Sequence, residues 1–431
     1  MTPPNKEPIN EDRTLRIDRI VPGGDGLARR EDGCVVFVPR TAPGDVVEVE
    51  YTEDRKNWRR ARVARLVAPG GDRCAPPCRY YDRCGGCQFQ HLAYEAQLEA
   101  KAAVVIDCLR RLGGVTLSQL DVTPSPRQLA YRNRITLTVR SSGPTLQAGY
   151  HGVDDPNEVI DIESCPLAEA PINAAWQSLR ASLLDITQPG RADVRMTLRA
   201  TARGTVGLTI ESVPGGTAIS QGVGGVAGVN AIWWVDRKGR VRARAGDKHL
   251  NERWGAYDIP LPGTSFLQVN REAASAMDAN VLARCQGESE RSIVDAYCGF
   301  GLRSLELVRG GKRVTAVDID RRSVDTARRL ASEHGLEARF VAAPVERALA
   351  SLLPADVVIL NPPRRGVAPH VLEALKKQPP ARIVYVSCDP ATLARDIKGL
   401  STRFQLTECR AFDLFPQTAH VETVATLTRT D

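Results

Sequence analysis

The sequence predicts an α/β protein built from a small N-terminal β-barrel, a mostly β central domain and a C-terminal doubly wound domain. Short strand-like runs separated by turn residues fill the start of the chain. After residue 256, apolar strands such as SIVDAYC, VTAVDID and ADVVILNPP alternate with helical patterns, which indicates a sheet covered by helices. We place the domains at 8–68, 69–256 and 257–431, and expect one helix over 92–112 that could pack on the C-terminal domain.

The bulk composition is that of a globular protein with an anionic partner. Of the 431 residues, 42% are hydrophobic and 25% are charged, and the net charge is +7. The first residues lack the apolar stretch of a signal peptide, and no run of about 18 apolar residues predicts a membrane span. We therefore expect a cytoplasmic monomer without membrane contact, in which the 11 cysteines are thiols, catalysts or metal ligands rather than disulfides.

The predicted barrel combines strand-like runs with a basic stretch. LRIDRI, CVVFVP, DVVEVEY and WRRARVARLV, separated by PGGDG and APGD turns, fit a five-stranded barrel. Residues 55–65 contain basic side chains without an acid, and Trp58 lies among them. This pattern suits single-stranded nucleic acid, although a solvated edge strand has the same composition. The arginines of 127–140 and 240–244 leave two alternatives open, a phosphate track or a solvated face.

The C-terminal domain carries the motifs of a nucleotide crevice. DAYCGFG at 295–301 follows an apolar strand, and its two glycines let the backbone pass close to a ligand. Asp318 ends the next strand, where a carboxylate accepts hydrogen bonds from ribose hydroxyls. A dinucleotide is one alternative, but Ser304 replaces the third glycine of that fingerprint, and S-adenosylmethionine (SAM) has no pyrophosphate to cradle. Asn361 precedes two prolines that must end its strand, so it lies at the same crevice.

A cysteine and a glutamate at two other strand ends indicate covalent chemistry. Cys388, in SCDP, follows the strand RIVYVSC and precedes a helix, whose N-terminus lowers the pKa of a thiol. Glu422 opens the last strand on the same rim. Methylation of carbon 5 of uridine needs both groups, because a thiolate must add to carbon 6 and a base must later remove the carbon 5 proton. Such a cysteine more often packs in a core, but the NPPR and GFG motifs favour catalysis.

Five motifs together resemble the successive motifs of the RNA 5-methyluridine methyltransferase family, which includes bacterial 23S rRNA and tRNA uridine-54 enzymes. They are SFLQVN at 265–270, DAYCGFG at 295–301, NPPRRG at 361–366, SCDP at 387–390 and FPQTAHVE at 415–422. The resemblance implies a SAM-dependent methyltransferase fold for the C-terminal domain. The barrel resembles the TRAM domain, an OB-like RNA-binding module.

The same resemblance implies roles for individual residues. Cys388 would be the nucleophile and Glu422 the base. The residues that would contact SAM are Gln268, Tyr297, Asp318 and Asn361. Two positions depart from the pattern, because many relatives have Asp where Asn361 stands, and Asn or Gly where Leu302 stands. We therefore assign no polar contact to Leu302.

Four cysteines have the pattern of a metal site. Cys78, Cys84 and Cys87 form C-x5-C-x2-C, and Cys165 in IESCPL is a distant fourth. Four thiolates suit zinc or a [4Fe–4S] cluster, and CGGC alone could be a redox pair. CGGCQ with a later CP resembles the cluster pattern of the same family, which implies a [4Fe–4S] cluster with a structural or RNA-orienting role. Cys74 lies outside that pattern.

The resemblance implies an enzyme that forms 5-methyluridine in RNA. The barrel and the cysteine pattern together favour 23S rRNA over tRNA uridine 54. Two other classes of protein compete with this interpretation. A methyltransferase acting on an exocyclic amino group would have no use for a Cys–Glu pair, and a non-catalytic RNA-binding iron–sulfur protein would not turn over SAM.

Overall fold

A computed structural model describes residues 13–142, 145–183, 193–212, 225–236, 238–287 and 290–430 of the chain. Their strands form three sheets, of six, seven and eight strands, and one two-stranded hairpin. Within these ranges no helix is both long enough and apolar enough to cross a membrane.

The N-terminal sheet has six strands rather than the five that the sequence predicted. They are β1 (Thr14–Arg16), β2 (Arg19–Ile20), β3 (Gly26–Arg29), β4 (Val35–Val38), β5 (Val46–Asp54) and β6 (Trp58–Ala68). Their order is β1-β5-β6-β4-β3-β2. The run LRIDRI splits into β1, which pairs with β5, and β2, which pairs with β3, because the chain changes partner between them. The start of the predicted domain, residues 8–12, lies outside the described residues.

The central sheet has seven strands and one helix. They are β8 (Arg134–Ser142), β9 (Thr145–His151), β10 (Val159–Asp161), α2 (Ala170–Ala181), β11 (Val194–Ala200), β12 (Val206–Ser212), β13 (Ala231–Val235) and β14 (Val241–Gly246). The order is β10-β9-β8-β11-β12-β13-β14. Alternate residues such as Ile135 and Leu137 share a buried apolar cluster with Trp176 of α2, so the helix covers one face of the sheet.

The C-terminal domain is doubly wound, as predicted. Its strands are β17 (Ser292–Ala296), β18 (Arg313–Asp318), β19 (Arg339–Ala342), β20 (Val357–Leu360), β21 (Arg382–Ser387), β22 (Phe404–Phe412) and β23 (Glu422–Arg429). Its helices are α3 (Arg271–Ala283), α4 (Leu302–Arg309), α5 (Arg321–Glu333), α6 (Val345–Leu352), α7 (Pro369–Lys377) and α8 (Pro390–Leu400). Strands β19-β18-β17-β20-β21 are parallel, and β23 and β22 follow antiparallel. Separate apolar clusters on the two faces join the helices to the sheet.

The segment before the central sheet also packs on the C-terminal domain. Helix α1 (Tyr94–Cys108) continues into a wider π-helical turn (Leu109–Gly113), so the helix expected over 92–112 changes geometry near its end. Val105 and Leu109 share a core with residues of α8. The short strand β7 (Val122–Thr123) then pairs with β22 at the edge of the eight-stranded sheet.

A two-stranded hairpin crosses the proposed boundary between the central and C-terminal parts. Strands β15 (Leu250–Trp254) and β16 (Tyr257–Leu261) pair antiparallel, so the boundary at 256 and 257 falls at their turn. Tyr257 and Ile259 pack in one cluster with residues of α4 and α5. The hairpin therefore packs on the C-terminal domain.

Candidate active site

The sheet register brings Cys388 and Glu422 together. In the antiparallel pair β21–β23, Ser387 lies opposite Thr423. Cys388 follows β21 directly and Glu422 is the first residue of β23, so both lie beside this last pair, and Glu422 is close enough to add to burial in raising the pKa of the Cys388 thiol. The described structure thus joins two residues that are far apart in the sequence, at the carboxyl end of the sheet.

Burial and mutual repulsion control the protonation of this pair. Burial raises the pKa of Glu422 to about 7, and the nearby guanidinium groups of Arg303 and Arg364 act in the opposite direction. Burial also raises the pKa of the Cys388 thiol, Glu422 raises it further and Arg364 lowers it. Burial and Glu422 thus outweigh the groups that lower this thiol pKa. The α8 terminus is already capped, because the Asp389 carboxylate accepts a hydrogen bond from the Thr392 amide at 2.9 Å.

Sequence reasoning missed the two arginines that act on this pair. Arg364 was part of the NPPRRG motif, yet it received no role. Arg303, at the start of α4, donates from Nε to Asp278 Oδ1 at 2.6 Å and lies close enough to Glu422 to affect its charge. Nothing in the sequence marks Arg303, because its proximity to Glu422 arises only when the sheet forms.

Three of the four predicted SAM residues lie at neighbouring strand ends. Tyr297 follows β17, Asp318 ends β18 and Asn361 follows β20. The amide of Gly299 donates to Asp318 Oδ2 at 2.8 Å, which fixes the carboxylate beside the glycine turn. A side chain at Gly299 would meet open space, since nothing lies within 4 Å of its Cβ position. This arrangement leaves room beside a carboxylate for a ribose-bearing ligand.

Tyr297 has two features of a ligand-binding residue. Its backbone φ is 62°, in the left-handed region that residues other than glycine rarely adopt. Its hydroxyl is buried without a hydrogen-bond partner within the described structure. A buried hydroxyl of this kind is usually satisfied by a ligand or water. Burial raises its pKa, and Glu346 lies near enough to raise that pKa further.

Gln268, the fourth predicted SAM residue, lies on a different element. It lies in the loop between β16 and α3, where its backbone oxygen accepts a hydrogen bond from Asn133 Nδ2 at 3.0 Å. The neighbouring Leu267 belongs to the same apolar cluster as Phe300 of the DAYCGFG turn. The loop is thereby held between the central sheet and the SAM crevice.

The four cysteines predicted as a metal site line one cavity. Cys78, Cys84 and Cys87 contribute from one segment, and Cys165 contributes from the loop after β10. Burial raises the pKa of the Cys87 thiol to about 12. Cys74 does not line this cavity, and its Sγ donates to the backbone oxygen of Gln90 at 3.5 Å.

The cavity is not a compact site for one ion. Among the described residues, no three or more His, Cys, Asp or Glu side chains are grouped closely enough to hold a metal ion. Arg132 lines the same cavity, and its Nε is buried without a hydrogen-bond partner there. A cation thus faces the four thiols.

The loop of residues 413–421, which leads to Glu422, is attached directly to the cysteine segment. The Gln417 oxygen accepts hydrogen bonds from the amides of Gln88 at 3.1 Å and Phe89 at 3.0 Å, immediately after Cys87. Gln417 and Gln97 of α1 also exchange two hydrogen bonds, of 3.0 Å and 2.9 Å. The backbone of Gln417 has a φ of 70°, so these contacts hold a strained turn.

A buried ion pair anchors the start of the same loop. Lys101 Nζ lies 2.5 Å from Asp413 Oδ1, and both side chains are fully buried. Tyr94 donates to the second oxygen of Asp413 at 3.0 Å. Removal of one partner would leave a buried charge uncompensated, which makes this an effective anchor.

The basic stretch of the barrel is balanced by acids from neighbouring strands. Its paired arginines are Arg55 with Glu53, Arg59 with Asp54, Arg60 with Asp25, Arg62 with Glu50, and Arg65 with Glu48. Residues 55–65 therefore do not form the unbalanced cationic surface that the sequence suggested. Strand pairing brings in carboxylates that lie outside the stretch itself.

Comparisons with known proteins match the whole chain. Residues 349–430 match the tRNA (uracil-5-)-methyltransferase family model, 273–379 the methyltransferase small domain, and 10–64 the TRAM domain. An uncharacterized RNA methyltransferase of Gloeobacter violaceus is 34% identical over 96% of each chain. Another, from Thermosynechococcus vestitus, is 33% identical over 96% of this chain and 97% of its own.

A solved structure matches the full architecture. It is the Pyrococcus abyssi tRNA (uracil-54, C5)-methyltransferase in complex with S-adenosyl-L-homocysteine, with a TM-score of 0.75 and 27% identity. The match covers 96% of this chain and 100% of that chain. Together with the strand-end crevice, these matches confirm the predicted enzyme class, its SAM dependence and the N-terminal TRAM domain. The chain belongs to the SAM-dependent RNA uracil-5-methyltransferase family.

Proposed function

We propose that this enzyme methylates carbon 5 of a uridine in RNA, with Cys388 as the nucleophile and Glu422 as the base. The observation that carries the proposal is that both residues lie beside the last β21–β23 pair, Ser387 and Thr423, close enough for Glu422 to add to burial in raising the pKa of Cys388. A methyltransferase for an exocyclic amino group has no need of a thiol beside a carboxylate. The crevice with Tyr297, Asp318 and Asn361 opens at the same end of the sheet and supports binding of the methyl donor there.

In the proposed reaction, Cys388 and Glu422 act in sequence. The Cys388 thiolate adds to carbon 6 and makes carbon 5 nucleophilic, and SAM supplies the methyl group that carbon 5 accepts. Glu422 then takes the proton from carbon 5, and the electrons of that bond expel the thiolate from carbon 6. With a pKa of about 7, Glu422 is a base suited to neutral pH. Arg364 favours the thiolate, because it lowers the pKa of Cys388.

We also propose that Cys78, Cys84, Cys87 and Cys165 hold a [4Fe–4S] cluster. Support comes from their convergence on one cavity and from the Arg132 Nε, which lies unpartnered in its wall among the described residues. Four thiolates are the usual ligands of such a cluster. It would cross-link the cysteine segment to the loop after β10, and no step of methyl transfer depends on it. Protein purified without oxygen should contain about four irons per chain; stoichiometric zinc without iron would contradict the proposal.

For the RNA substrate we propose 23S rRNA, modified by a cytoplasmic monomer. Support comes from the combination of a TRAM domain with the cysteine cavity. A specific observation favours a second candidate, uridine 54 of tRNA, because the solved structure that matches the whole chain acts on that position. Both candidates share the same chemistry at Cys388 and Glu422.

One experiment tests the reaction and separates the two substrates. The purified enzyme is incubated with SAM and either 23S rRNA or tRNA lacking modifications, and the nucleosides are mapped by mass spectrometry. We expect 5-methyluridine in 23S rRNA; its appearance only at position 54 of tRNA would select the second candidate. Methylation of an amino group in either RNA would contradict both.

The Glu422→Gln variant tests the role of the base in the same assay. Addition of Cys388 and methyl transfer need no base at carbon 5, but release of the enzyme does. We therefore expect a covalent protein–RNA adduct to accumulate on denaturing gels. Near-normal turnover of this variant would show that the base lies elsewhere.

A further inference from the structure

Two arginines lie side by side on the face of the central sheet opposite α2. The β8–β11 register sets Arg134 directly opposite Arg199. The next pair on this face, Thr136 and Thr197, joins its hydroxyls at 2.9 Å, so the side chains project to the same side. The opposite face packs on α2 through residues such as Ile135. The two guanidinium groups therefore lie on the face that α2 leaves uncovered.

Neither arginine has a carboxylate partner. In the described part of the chain, the half-buried Arg134 guanidinium makes no hydrogen bond or ion pair. Arg199 is 5% exposed and donates from Nη2 to the backbone oxygen of Ser265 at 2.8 Å. Its Nε is buried without a partner there.

The nearest acids are occupied by other arginines. Glu211 lies 3.8 Å from Arg195, and Glu252 lies 2.9 Å from Arg271. Burial and the neighbouring Arg134 lower the pKa of Arg199 to about 9. Like charges directly opposite in a sheet destabilise it. Destabilising features of this kind are found mainly at functional sites, so we expect the two arginines to have a function.

The pair borders the loop that carries a predicted SAM residue. Arg199 contacts Ser265 of this loop, and Asn133, the neighbour of Arg134, donates to the Gln268 oxygen at 3.0 Å. Phe266 of the same loop is 69% exposed. An exposed ring next to cations is typical of surfaces that bind single-stranded nucleic acid.

We propose that Arg134 and Arg199 bind a phosphodiester of the RNA strand that flanks the target uridine. The inference rests on the proposed function, because a base must be splayed out of folded RNA before Cys388 can reach carbon 6. The strand on either side of that base is then held extended near the crevice. A phosphate supplies the negative charge that the pair lacks, and guanidinium groups bind phosphate through paired N–H donors.

The test compares two substitutions that remove the same charge from the full-length protein. Arg134→Gln removes an unpaired cation, whereas Arg203→Gln removes an exposed arginine that is bonded to Asp258 at 3.0 Å. Binding of an RNA fragment with an unpaired target loop is measured without SAM over a range of salt concentrations. Each lost phosphate contact on a single strand lowers the salt slope by about 0.7. We expect this decrease for Arg134→Gln and an unchanged slope for Arg203→Gln.

The melting temperatures of the variants separate an effect on RNA binding from an effect on folding. Arg134→Gln should not lower the melting temperature, because it removes repulsion against Arg199 and breaks no hydrogen bond of its own. Inorganic phosphate should stabilise the native protein more than this variant. An unchanged RNA salt slope would overturn the proposal, and stabilisation by inorganic phosphate with that unchanged slope would show a free-anion site instead.

The outcome is distinguishable from failure of the proposed function. Loss of salt slope in Arg134→Gln without any 5-methyluridine in the native reaction would contradict the reaction and retain the phosphate site. Production of 5-methyluridine with equal salt slopes in both variants would support the proposed reaction and contradict the phosphate site.

Discussion

The thiols of this protein fall into two settings that differ in their neighbours. Cys388 lies at the rim of the sheet, where burial and Glu422 raise the pKa of its thiol and Arg364 lowers it. The cysteines of the other setting face one another across a cavity. A single thiol beside a base suits covalent catalysis, whereas converging thiols suit a metal cluster. The comparison indicates that the groups around a thiol, rather than the thiol itself, determine its function.

The two settings are also connected. The loop of residues 413–421 begins at the Lys101–Asp413 ion pair, bonds to the backbone just after Cys87 through Gln417, and ends at Glu422. The cysteine segment is therefore linked to the proposed base, Glu422, through a few hydrogen bonds of this loop.

The largest expected effect separates Cys388 from a cysteine that only packs. Cys388→Ala should reduce methylation more than about a thousandfold, because no other group can add to carbon 6. The control is Cys409→Ala on β22, where burial raises the thiol pKa to about 12 and the side chain packs against a core. Initial rates with radiolabelled SAM measure both. Equal losses in the two variants would remove the distinction between reactive and packing thiols.

The second prediction concerns the stability cost of the base. The pKa of Glu422 is raised to about 7 from an ordinary value of 4.5, so the folded protein holds this proton more tightly than the unfolded chain. Stability should therefore fall as pH rises from 4.5 to 7, by about 3 kcal/mol at most. In urea unfolding, Glu422→Gln should gain stability over the native protein at pH 8 but not at pH 4.5. The exposed control Glu333→Gln should show no such pH-dependent gain; a pH-independent difference for Glu422→Gln would contradict the account.

The third prediction concerns the cavity thiols. Cys87→Ser should lose bound iron and lower the melting temperature, because one of four converging ligands is weakened. Cys74→Ser should retain iron, since Cys74 does not line the cavity. Iron content and thermal unfolding of anaerobic protein measure both changes. Iron loss in Cys74→Ser with retention in Cys87→Ser would reverse the assignment.

The smallest expected effect tests the connection between the settings. Gln417→Gly keeps the left-handed backbone accessible but removes the hydrogen bond that Gln97 Nε2 donates to Gln417 Oε1, whereas the bond from the Gln417 amide to Gln97 remains possible. The lost bond is worth about 1 kcal/mol, so turnover should fall by about fivefold while SAM affinity stays constant. Gln378→Gly, on an exposed residue after α7, is the control. A loss of SAM affinity in Gln417→Gly would indicate general disruption rather than misplacement of Glu422.

The sequence predicted the fold where local patterns are repeated. Alternating apolar strands and helices indicated the doubly wound domain, and the strands that are buried on both faces, such as β20, are continuous apolar runs. The sixth barrel strand was missed because one short apolar run changes partner midway. The addition of β7 to the sheet edge was missed because two residues carry no recognisable strand pattern.

For the site, motifs indicated the residues but not their electrostatics. Cys388 and Glu422 were predicted, whereas the raised thiol pKa was not, because it depends on burial and on the proximity of Glu422. The prediction of an unbalanced cationic surface at 55–65 failed for the same reason. The acids that neutralise these arginines lie outside the stretch and meet it only in the folded barrel. Conversely, the unpaired Arg134 and Arg199 lie far apart in sequence and become a pair only through the β8–β11 register.

The most direct test of the account is a covalent trap on Cys388. RNA that carries 5-fluorouridine at the target position should form a stable adduct with the native enzyme and SAM, because fluorine cannot leave carbon 5 as a cation. We expect a protein–RNA band that resists denaturation, with the RNA attached to Cys388 by mass spectrometry, and no band from Cys388→Ala. A band of equal intensity from Cys388→Ala, or attachment at another cysteine, would contradict the central claim.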